Sequence, residues 1–252
     1  MNCKQGTGGA NNECAGAGGG TISVENIVTP AKTPLRGAKD AEDYARRVLG
    51  IEADFKGVEL EICQRILDMV EFRLSNEERR KLVYIGPQNK ARKVLGLKRR
   101  SGSNDVFEVI AVGDRVAFGI GNHGKTMQDL QVAMSIMEEQ NWMLNLSIDG
   151  LLDHERAHIY DVMHAGKFYG TSIDFHEALL ERMEVETPSM HYYLRPLAAV
   201  SGEYIHRDSA ETFAEAYRLY RNGLLPPQFA WVKDWFDKLG ISDTDKEKLS
   251  AI

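Results

Sequence analysis

A short run of the sequence, His154-Glu155-Arg156-Ala157-His158, carries the residue types of a metal site. It lies inside a predicted helix of about Ile148 to His164, and residues four apart on a helix share one face, with Cβ atoms about 5–6 Å apart. The two imidazoles can therefore converge on one tetrahedral ion, and the His-Glu-x-x-His pattern is typical of zinc. Glu155 lies one step around the helix, where it can act on a water as a general base without being a ligand.

This pattern is only moderately specific. At this composition it arises by chance in roughly one or two chains per hundred, as a charged turn of a surface helix. A catalytic zinc also needs a third protein ligand and an open position. A second predicted helix, about Ser209 to Tyr220, carries Glu211 and Glu215 on one face, and Glu211 is the candidate third ligand. Tyr204 precedes Glu211, at the end of a polar turn.

Two blocks of the sequence resemble a known family. They are His154-Glu155-x-x-His158-x-x-Asp161 and Tyr204-x6-Glu211-x-Phe213-Ala214-Glu215-Ala216. Together they are similar to the catalytic domain of the anthrax-lethal-factor-like zinc peptidases, which include the Pro-Pro endopeptidases and domains of phage-encoded proteins. The resemblance covers about residues 125–240, and it extends to the first half only through the order of elements.

The resemblance implies a zincin fold and a role for each matched residue. One zinc ion per chain would be bound by His154, His158 and Glu211. Glu155 would be the general base, and Tyr204 would hydrogen-bond the developing oxyanion. Two carboxylates would orient the imidazoles from behind, namely Glu215 and Asp161.

The sequence departs from the family pattern at two places. Arg156-Ala157 stands where the family usually has an apolar or aromatic residue followed by glycine. His158 and Glu211 are 53 residues apart, a longer separation than the family leads us to expect. This separation indicates an insertion within residues 169–200. Neither departure removes a ligand, but both leave the substrate preference open.

The elements that must position these residues follow from hydrophobic periodicity. Helical patterns at Ala38–Leu49 and Val58–Leu74 precede a short apolar run, Leu82–Ile85. Phe107–Val112 and Val116–Ile120 then flank a Gly-Asp pair and predict a β-hairpin. Helical patterns follow for the rest of the chain, including a final helix from Pro227 to Leu239.

This order predicts an α+β, zincin-like fold. We expect a peptidase domain over residues 34–240, with a small mixed sheet in an N-terminal lobe (34–146) and a mainly helical C-terminal lobe (147–240). Residues 1–30 hold seven of the 23 glycines and few large apolar groups, which predicts a flexible tail. Residues 241–252 are predicted to be a short C-terminal tail.

A rival motif lies at Gly119–Thr126, which fits the phosphate-binding pattern G-x-x-x-x-G-K-[ST] after a strand and before a helix. Its chance frequency is also roughly one in a hundred. A P-loop enzyme further needs a buried acidic strand for Mg²⁺ and several parallel βα units, whereas mainly helices follow Thr126. The favoured interpretation is a glycine-rich turn after Val116–Ile120, the candidate edge strand for an extended substrate.

Overall charge and hydropathy limit the classes of partner that we expect the protein to bind. The net charge is −6 and the pI is near 5.7, so nothing indicates nucleic acid or an anionic membrane. No stretch approaches the ~20 apolar residues of a spanning helix, and residues 1–20 lack the apolar core of a secretory signal. We expect a protein or peptide substrate, no nucleic-acid or membrane partner, and a place in the cytoplasm of the producing cell or delivery by a non-secretory route, including within a virion.

The expected function is therefore a zinc-dependent endopeptidase. Two alternatives stay open at this point. One is a P-loop nucleotide hydrolase using Gly119–Thr126, and the other is a phage or effector structural protein that keeps a zinc site for folding.

Overall fold

A four-stranded mixed sheet forms from the first half of the chain. The computed structural model describes residues 35–101, 106–164, 171–183 and 192–239. The sheet has the order β1-β2-β4-β3, and its strands are β1 (Glu52–Ala53), β2 (Leu82–Pro87), β3 (Phe107–Val112) and β4 (Arg115–Ile120). β2 is parallel to both β1 and β4, and β3 runs antiparallel to β4.

The hairpin β3–β4 forms where the sequence predicts it. Val112 pairs with Arg115, and Gly113 has φ 60°, a left-handed conformation that favours glycine in such a tight turn. The prediction that Val116–Ile120 is an edge strand is wrong, because β4 lies between β2 and β3. All residues from Val116 to Ile120 are buried, as expected for a strand with neighbours on both sides. The edge strand of this hairpin is β3.

Helices from the N-terminal half cover the sheet. α1 (Ala38–Tyr44) and α2 (Leu60–Asp68) each continue through a π-helical turn, over Ala45–Leu49 and Met69–Arg73. Two short helices were not predicted, α3 (Asn76–Lys81) and α4 (Gln88–Val94). α3 begins at a capping box, in which Ser75 and Glu78 satisfy each other's backbone N–H groups.

The second half is helical, as predicted. Its helices are α5 (Met127–Glu139), α6 (Ile148–His164), α7 (Ser172–Arg182), α8 (Arg195–Ser201), α9 (Ser209–Arg221) and α10 (Trp231–Lys238). α7 and α8 fall in the range predicted to be an insertion, and both bury apolar residues in the C-terminal core. The predicted final helix from Pro227 to Leu239 is a 3₁₀ turn followed by α10.

α6 connects the two apolar cores of the molecule. Leu152 and Ile159 belong to the core shared with the sheet and the first helices. Ala157 and Tyr160 belong to an aromatic core with α7, α9 and α10, which includes the fully buried Phe213. Burying such a side chain contributes roughly 1.5–3 kcal/mol. Because both cores hold α6, the side chains it carries between them have little freedom to move.

The α+β class and the division into a small sheet and a helical second half are thus confirmed. The predicted tails, residues 1–30 and 241–252, lie outside the described residues. Within the described ranges, none of the helices combines the length and apolar character needed to cross a membrane.

Candidate metal centre

α6 brings the two histidines of the His-Glu-x-x-His pattern together. The helix has the predicted bounds, Ile148–His164. His154 is buried and His158 is partly exposed. Their Nε2 atoms lie 3.0 Å apart, and the ring planes meet at 80°. Both imidazoles therefore point one nitrogen at the same small volume.

α9 supplies the third group. Its N-cap residue Asp208 accepts a hydrogen bond of 2.9 Å from the backbone N–H of Glu211, which places Glu211 in the first turn of the helix. From there the Glu211 Oε2 atom lies 3.2 Å from the Nε2 atoms of both His154 and His158. Packing of α9 on α6 thus brings together residues that are 53 positions apart in sequence.

The donor set fits zinc. Within the described residues, His154, His158 and Glu211 form a group whose ligand atoms all lie within 4.8 Å of one another. Two imidazole nitrogens and one carboxylate oxygen are a known ligand set of catalytic zinc, which keeps a further position open. The partial exposure of His158 leaves one side of this group accessible from outside.

Glu215 lies behind His154, as the resemblance implies. Its Oε1 atom is 2.7 Å from the Nδ1 atom of His154, and the carboxylate is completely buried. A carboxylate on Nδ1 fixes the ring orientation and directs Nε2 toward the metal position. Burial opposes the charge of Glu215, yet the neighbouring Arg218 and His154 lower its pKa.

The electrostatics of the group follow from these contacts. Burial disfavours a charged His154, but its hydrogen bonds to Glu211 and Glu215 raise its pKa to about 10. Burial opposes ionisation of Glu211 too, while hydrogen bonds from both histidines hold its pKa well below the usual value. Without a metal, these contacts therefore favour the protonated form of His154, with Glu215 at its Nδ1 atom and Glu211 at its Nε2 atom.

Glu155 lies beside this group and is not part of it. Its Oε2 atom accepts a hydrogen bond of 2.9 Å from the backbone N–H of Val109 on the edge strand β3. Burial raises the pKa of its carboxyl group, and His154 and His158 lower it by a smaller amount. A raised pKa suits a carboxylate that must both accept and return a proton.

Tyr204 also reaches the site. Its hydroxyl donates a hydrogen bond of 3.1 Å to the Oε1 atom of Glu211, and burial together with that carboxylate raises its pKa. The backbone before it is held by a short ladder: the N–H groups of Glu203 and Tyr204 donate to the carbonyls of Asn141 and Trp142, each at 2.8 Å.

Position 202 requires glycine, because the two backbone segments of this ladder approach each other closely there. Its φ is 95°, and a Cβ atom at this position would collide with the carbonyl oxygen of Trp142. The close approach of the two backbones places the turn that carries Tyr204 over the histidines. The ring centroids of Tyr204 and His154 are 6.1 Å apart.

Two arginines of the site were not predicted. Arg207 donates to the Tyr204 hydroxyl, and its Nη1 atom lies 3.5 Å from the Oε1 atom of Glu211. Arg218 pairs with Glu215. The sequence spacing of both pairs could have indicated these contacts. Arg207 is four positions before Glu211, and Arg218 is three positions after Glu215 on α9.

Asp161 does not orient an imidazole, contrary to the expectation. Its carboxylate accepts hydrogen bonds from the backbone N–H of Ser172 at 2.6 Å and from the Ser172 hydroxyl at 2.9 Å. Because both oxygens bind the first turn of α7, Asp161 joins α6 to α7. It acts on the packing of the helix, one turn beyond His158.

The Gly119–Thr126 segment uses its polar groups within the chain. At the start of α5, the N–H of Met127 donates to the Glu59 carboxylate at 3.0 Å, and the N–H of Asp129 donates to the Thr126 hydroxyl at 3.0 Å. The Lys125 ammonium donates to the Asn122 side chain at 3.0 Å. A carboxylate already lies where a P-loop would receive a phosphate, which weighs against the nucleotide alternative.

No family model matches the chain, and searches of curated proteins and of solved structures return no match.

Proposed function

We propose that this protein is a zinc-dependent endopeptidase with a zincin-like site of the lethal-factor type. The observation that carries the proposal is the convergence of His154, His158 and Glu211 donor atoms beside Glu155, a half-buried carboxylate outside the ligand group. Residues that bind a metal only for folding need no such neighbour, because structural zinc sites are closed by four protein ligands.

Glu155 performs the proton transfers in the proposed reaction. Bound zinc supplies Lewis acidity, polarising a carbonyl and lowering the pKa of water to about 7. Glu155 takes one proton as a water oxygen forms a bond to the peptide carbonyl carbon. The C–N bond then breaks, and Glu155 returns that proton to the departing amine nitrogen. One water is consumed, and a carboxylic acid and an amine are released, which then ionise to a carboxylate and an ammonium.

Tyr204 stabilises the developing negative charge. Its hydroxyl is already placed at the site by its hydrogen bond to Glu211. Turning this donor toward the oxyanion would stabilise the transition state by roughly 2.7–4 kcal/mol, the usual contribution of one such donor. Arg207, which donates to the same hydroxyl, adds positive charge on that side and strengthens the Tyr204 O–H as a donor.

The edge strand β3 favours an extended peptide as the substrate. The N–H of Val109 points away from β4, since it donates to Glu155. In an antiparallel pair, alternate residues direct their N–H and C=O groups outward, where a further strand can pair with them. β3 therefore offers backbone partners next to the proposed catalytic groups.

One experiment tests the proposal. Protein purified without added metal is assayed for zinc, and then for cleavage of a mixed peptide library by mass spectrometry, alongside Glu155→Gln. We expect one zinc per chain in both proteins and cleavage only by the unaltered one. Zinc in both with cleavage by neither would instead favour the alternative in which the site serves folding.

A further inference from the structure

We infer that Arg218 is a positioning residue for the metal centre, which holds His154 in its binding orientation through Glu215. Arg218 lies on α9 and is completely buried, with no exposed surface. It contacts neither histidine through any of its hydrogen bonds. Its hydrogen bonds go instead to the Glu215 carboxylate and to the backbone carbonyls of Asn145 and Ser201. The inference rests on the zinc site proposed above.

The guanidinium grips the Glu215 carboxylate at both oxygens. Arg218 Nε lies 3.1 Å from Oε1 and 3.2 Å from Oε2, and Nη2 lies 2.7 Å from Oε2. The same Oε1 atom is 2.7 Å from Nδ1 of His154. A planar fork on a carboxylate fixes its plane as well as its charge. Glu215 therefore cannot rotate away from His154 without breaking these bonds.

Arg218 also donates to two backbone carbonyls. Nη1 donates to the Asn145 carbonyl at 3.2 Å, three residues before α6 begins. Nη2 donates to the Ser201 carbonyl at 3.4 Å, at the end of α8 and just before the turn that carries Tyr204. One side chain on the helix of Glu211 thus holds the segments leading into the other two parts of the site.

The stem of Arg218 also packs against α6. A Cβ atom at Gly150 would lie 3.7 Å from both the Cγ and Cδ atoms of Arg218, so the arginine stem occupies the space beside the glycine. Gly150 is one helical turn before His154. The arginine therefore packs directly against the helix whose imidazole it positions.

Stability alone gives a poor reason for this ion pair. Removing two charges from water costs several kcal/mol per ion, and apolar replacements of buried pairs are often neutral or stabilising. This pair has a further effect, because Glu215 hydrogen-bonds the imidazole of a metal ligand. Mutating a residue that hydrogen-bonds a metal ligand typically lowers metal affinity by about 10–100-fold.

The test measures zinc affinity by chelator competition in Arg218→Met and in a matched control, Arg221→Met. Arg221 lies on the same helix and is nearly buried, but it pairs with Asp153. We expect Arg218→Met to weaken zinc binding by about 10–100-fold and Arg221→Met to leave it unchanged. The visible absorption of the Co²⁺-loaded protein should change in the first variant only. Melting temperatures of the metal-free proteins report stability separately.

Two further variants keep the inference testable if Arg218→Met does not fold. Arg218→Lys retains the charge but loses the fork, so it should weaken zinc binding less than Glu215→Gln does. In the Glu215→Gln background, Arg218→Lys should have almost no additional effect, because the arginine acts through Glu215. Additive effects, or unaltered affinity in Arg218→Lys, would overturn the inference.

The outcomes separate this inference from the proposed function. If zinc binding depends on Arg218 but the protein cleaves no peptide, the proposed peptidase function is wrong and the positioning role of Arg218 stands. If the protein cleaves peptides but Arg218→Met binds zinc as tightly as the unaltered protein, the peptidase function stands and the positioning role is wrong. A protein that binds no zinc would overturn both.

Discussion

The segment Gly119–Thr126 and the run His154–His158 are two short motifs with similar chance frequencies, and the structure treats them differently. In the first, an N–H at the helix start and the lysine ammonium are paired with neighbouring side chains. In the second, the two histidine nitrogens and a carboxylate oxygen of Glu211, on another helix, converge on one position. A motif must therefore be judged by the partners of its atoms. The polar groups of the first motif are hydrogen-bonded within the chain, whereas the histidines of the second converge with Glu211 on a position that a cation can occupy.

Removing one of the three metal ligands should have the largest effect on zinc binding and activity. We expect His154→Ala and Glu211→Ala each to lose stoichiometric zinc and all hydrolysis, because two remaining ligands make a poor site. Metal analysis after gel filtration measures the loss. The matched control is Lys125→Met in the rival motif, which should retain full zinc. Full zinc occupancy in either ligand variant would remove the basis of the comparison.

Glu155→Gln should keep the metal and lose the reaction. The amide cannot accept the proton, and a positioned general base contributes about 10²–10⁴-fold to the rate. Zinc content and melting temperature should stay close to those of the unaltered protein, because Glu155 is not a ligand. The measurement is kcat on a confirmed peptide. An unchanged kcat would mean that another group accepts the proton.

Tyr204→Phe should lower kcat by about 10²–10³ while KM changes little, as expected for a donor used only in the transition state. The hydroxyl also binds Glu211, so zinc affinity is measured in parallel. A loss of zinc without a separate loss in kcat would assign the hydroxyl to ligand positioning alone.

The pH dependence of zinc binding should reflect His154. Burial opposes its charge, but hydrogen bonds to Glu211 and Glu215 raise its pKa to about 10, so the metal-free protein holds a proton there at neutral pH. Zinc must displace that proton, and its affinity should rise roughly tenfold per pH unit between pH 6 and 9. Glu211, with its lowered pKa, stays ionised across this window and adds no slope. Calorimetry in two buffers of different ionisation enthalpy counts the proton, and a flat profile would contradict this assignment.

The smallest effect is expected in the rival motif. Glu59→Gln removes the carboxylate at the start of α5 and should cost about 0.3–1 kcal/mol, the usual value of a charge at a helix N-terminus. Urea unfolding measures the change. ATP should not raise the melting temperature of the unaltered protein, whereas zinc should. Stabilisation by ATP would reopen the nucleotide alternative.

Local patterns predicted the parts of the site that lie on one helix. The bounds of α6 follow from an amphipathic pattern around the two histidines. α9 begins at Ser209, as predicted, and Asp208 caps it. Helix periodicity then places Glu211 and Glu215 on the face that meets α6. These features depend on neighbours within a few residues, which is the range that such patterns describe.

Long-range contacts account for what was missed. The position of β4 inside the sheet depends on its parallel pairing with β2, from which it is separated in sequence by α4 and β3. The partners of Arg218 include two carbonyls on segments far from it in sequence, so its spacing from Glu215 shows only one of its contacts. Asp161 has the spacing of a group near the histidines, yet the packing of α7 directs it to Ser172.

The backbone ladder beside Gly202 has a consequence for how quickly the site can assemble. It joins the segment before α6 to the turn before α9, and neighbouring residues there, Asn145 and Val200, are 55 positions apart. Closing a chain segment of that length costs entropy before any contact repays it, so such contacts form slowly. During refolding, zinc capture should therefore lag behind helix formation, and the rate of capture should report when the segment before α6 has paired with the turn before α9.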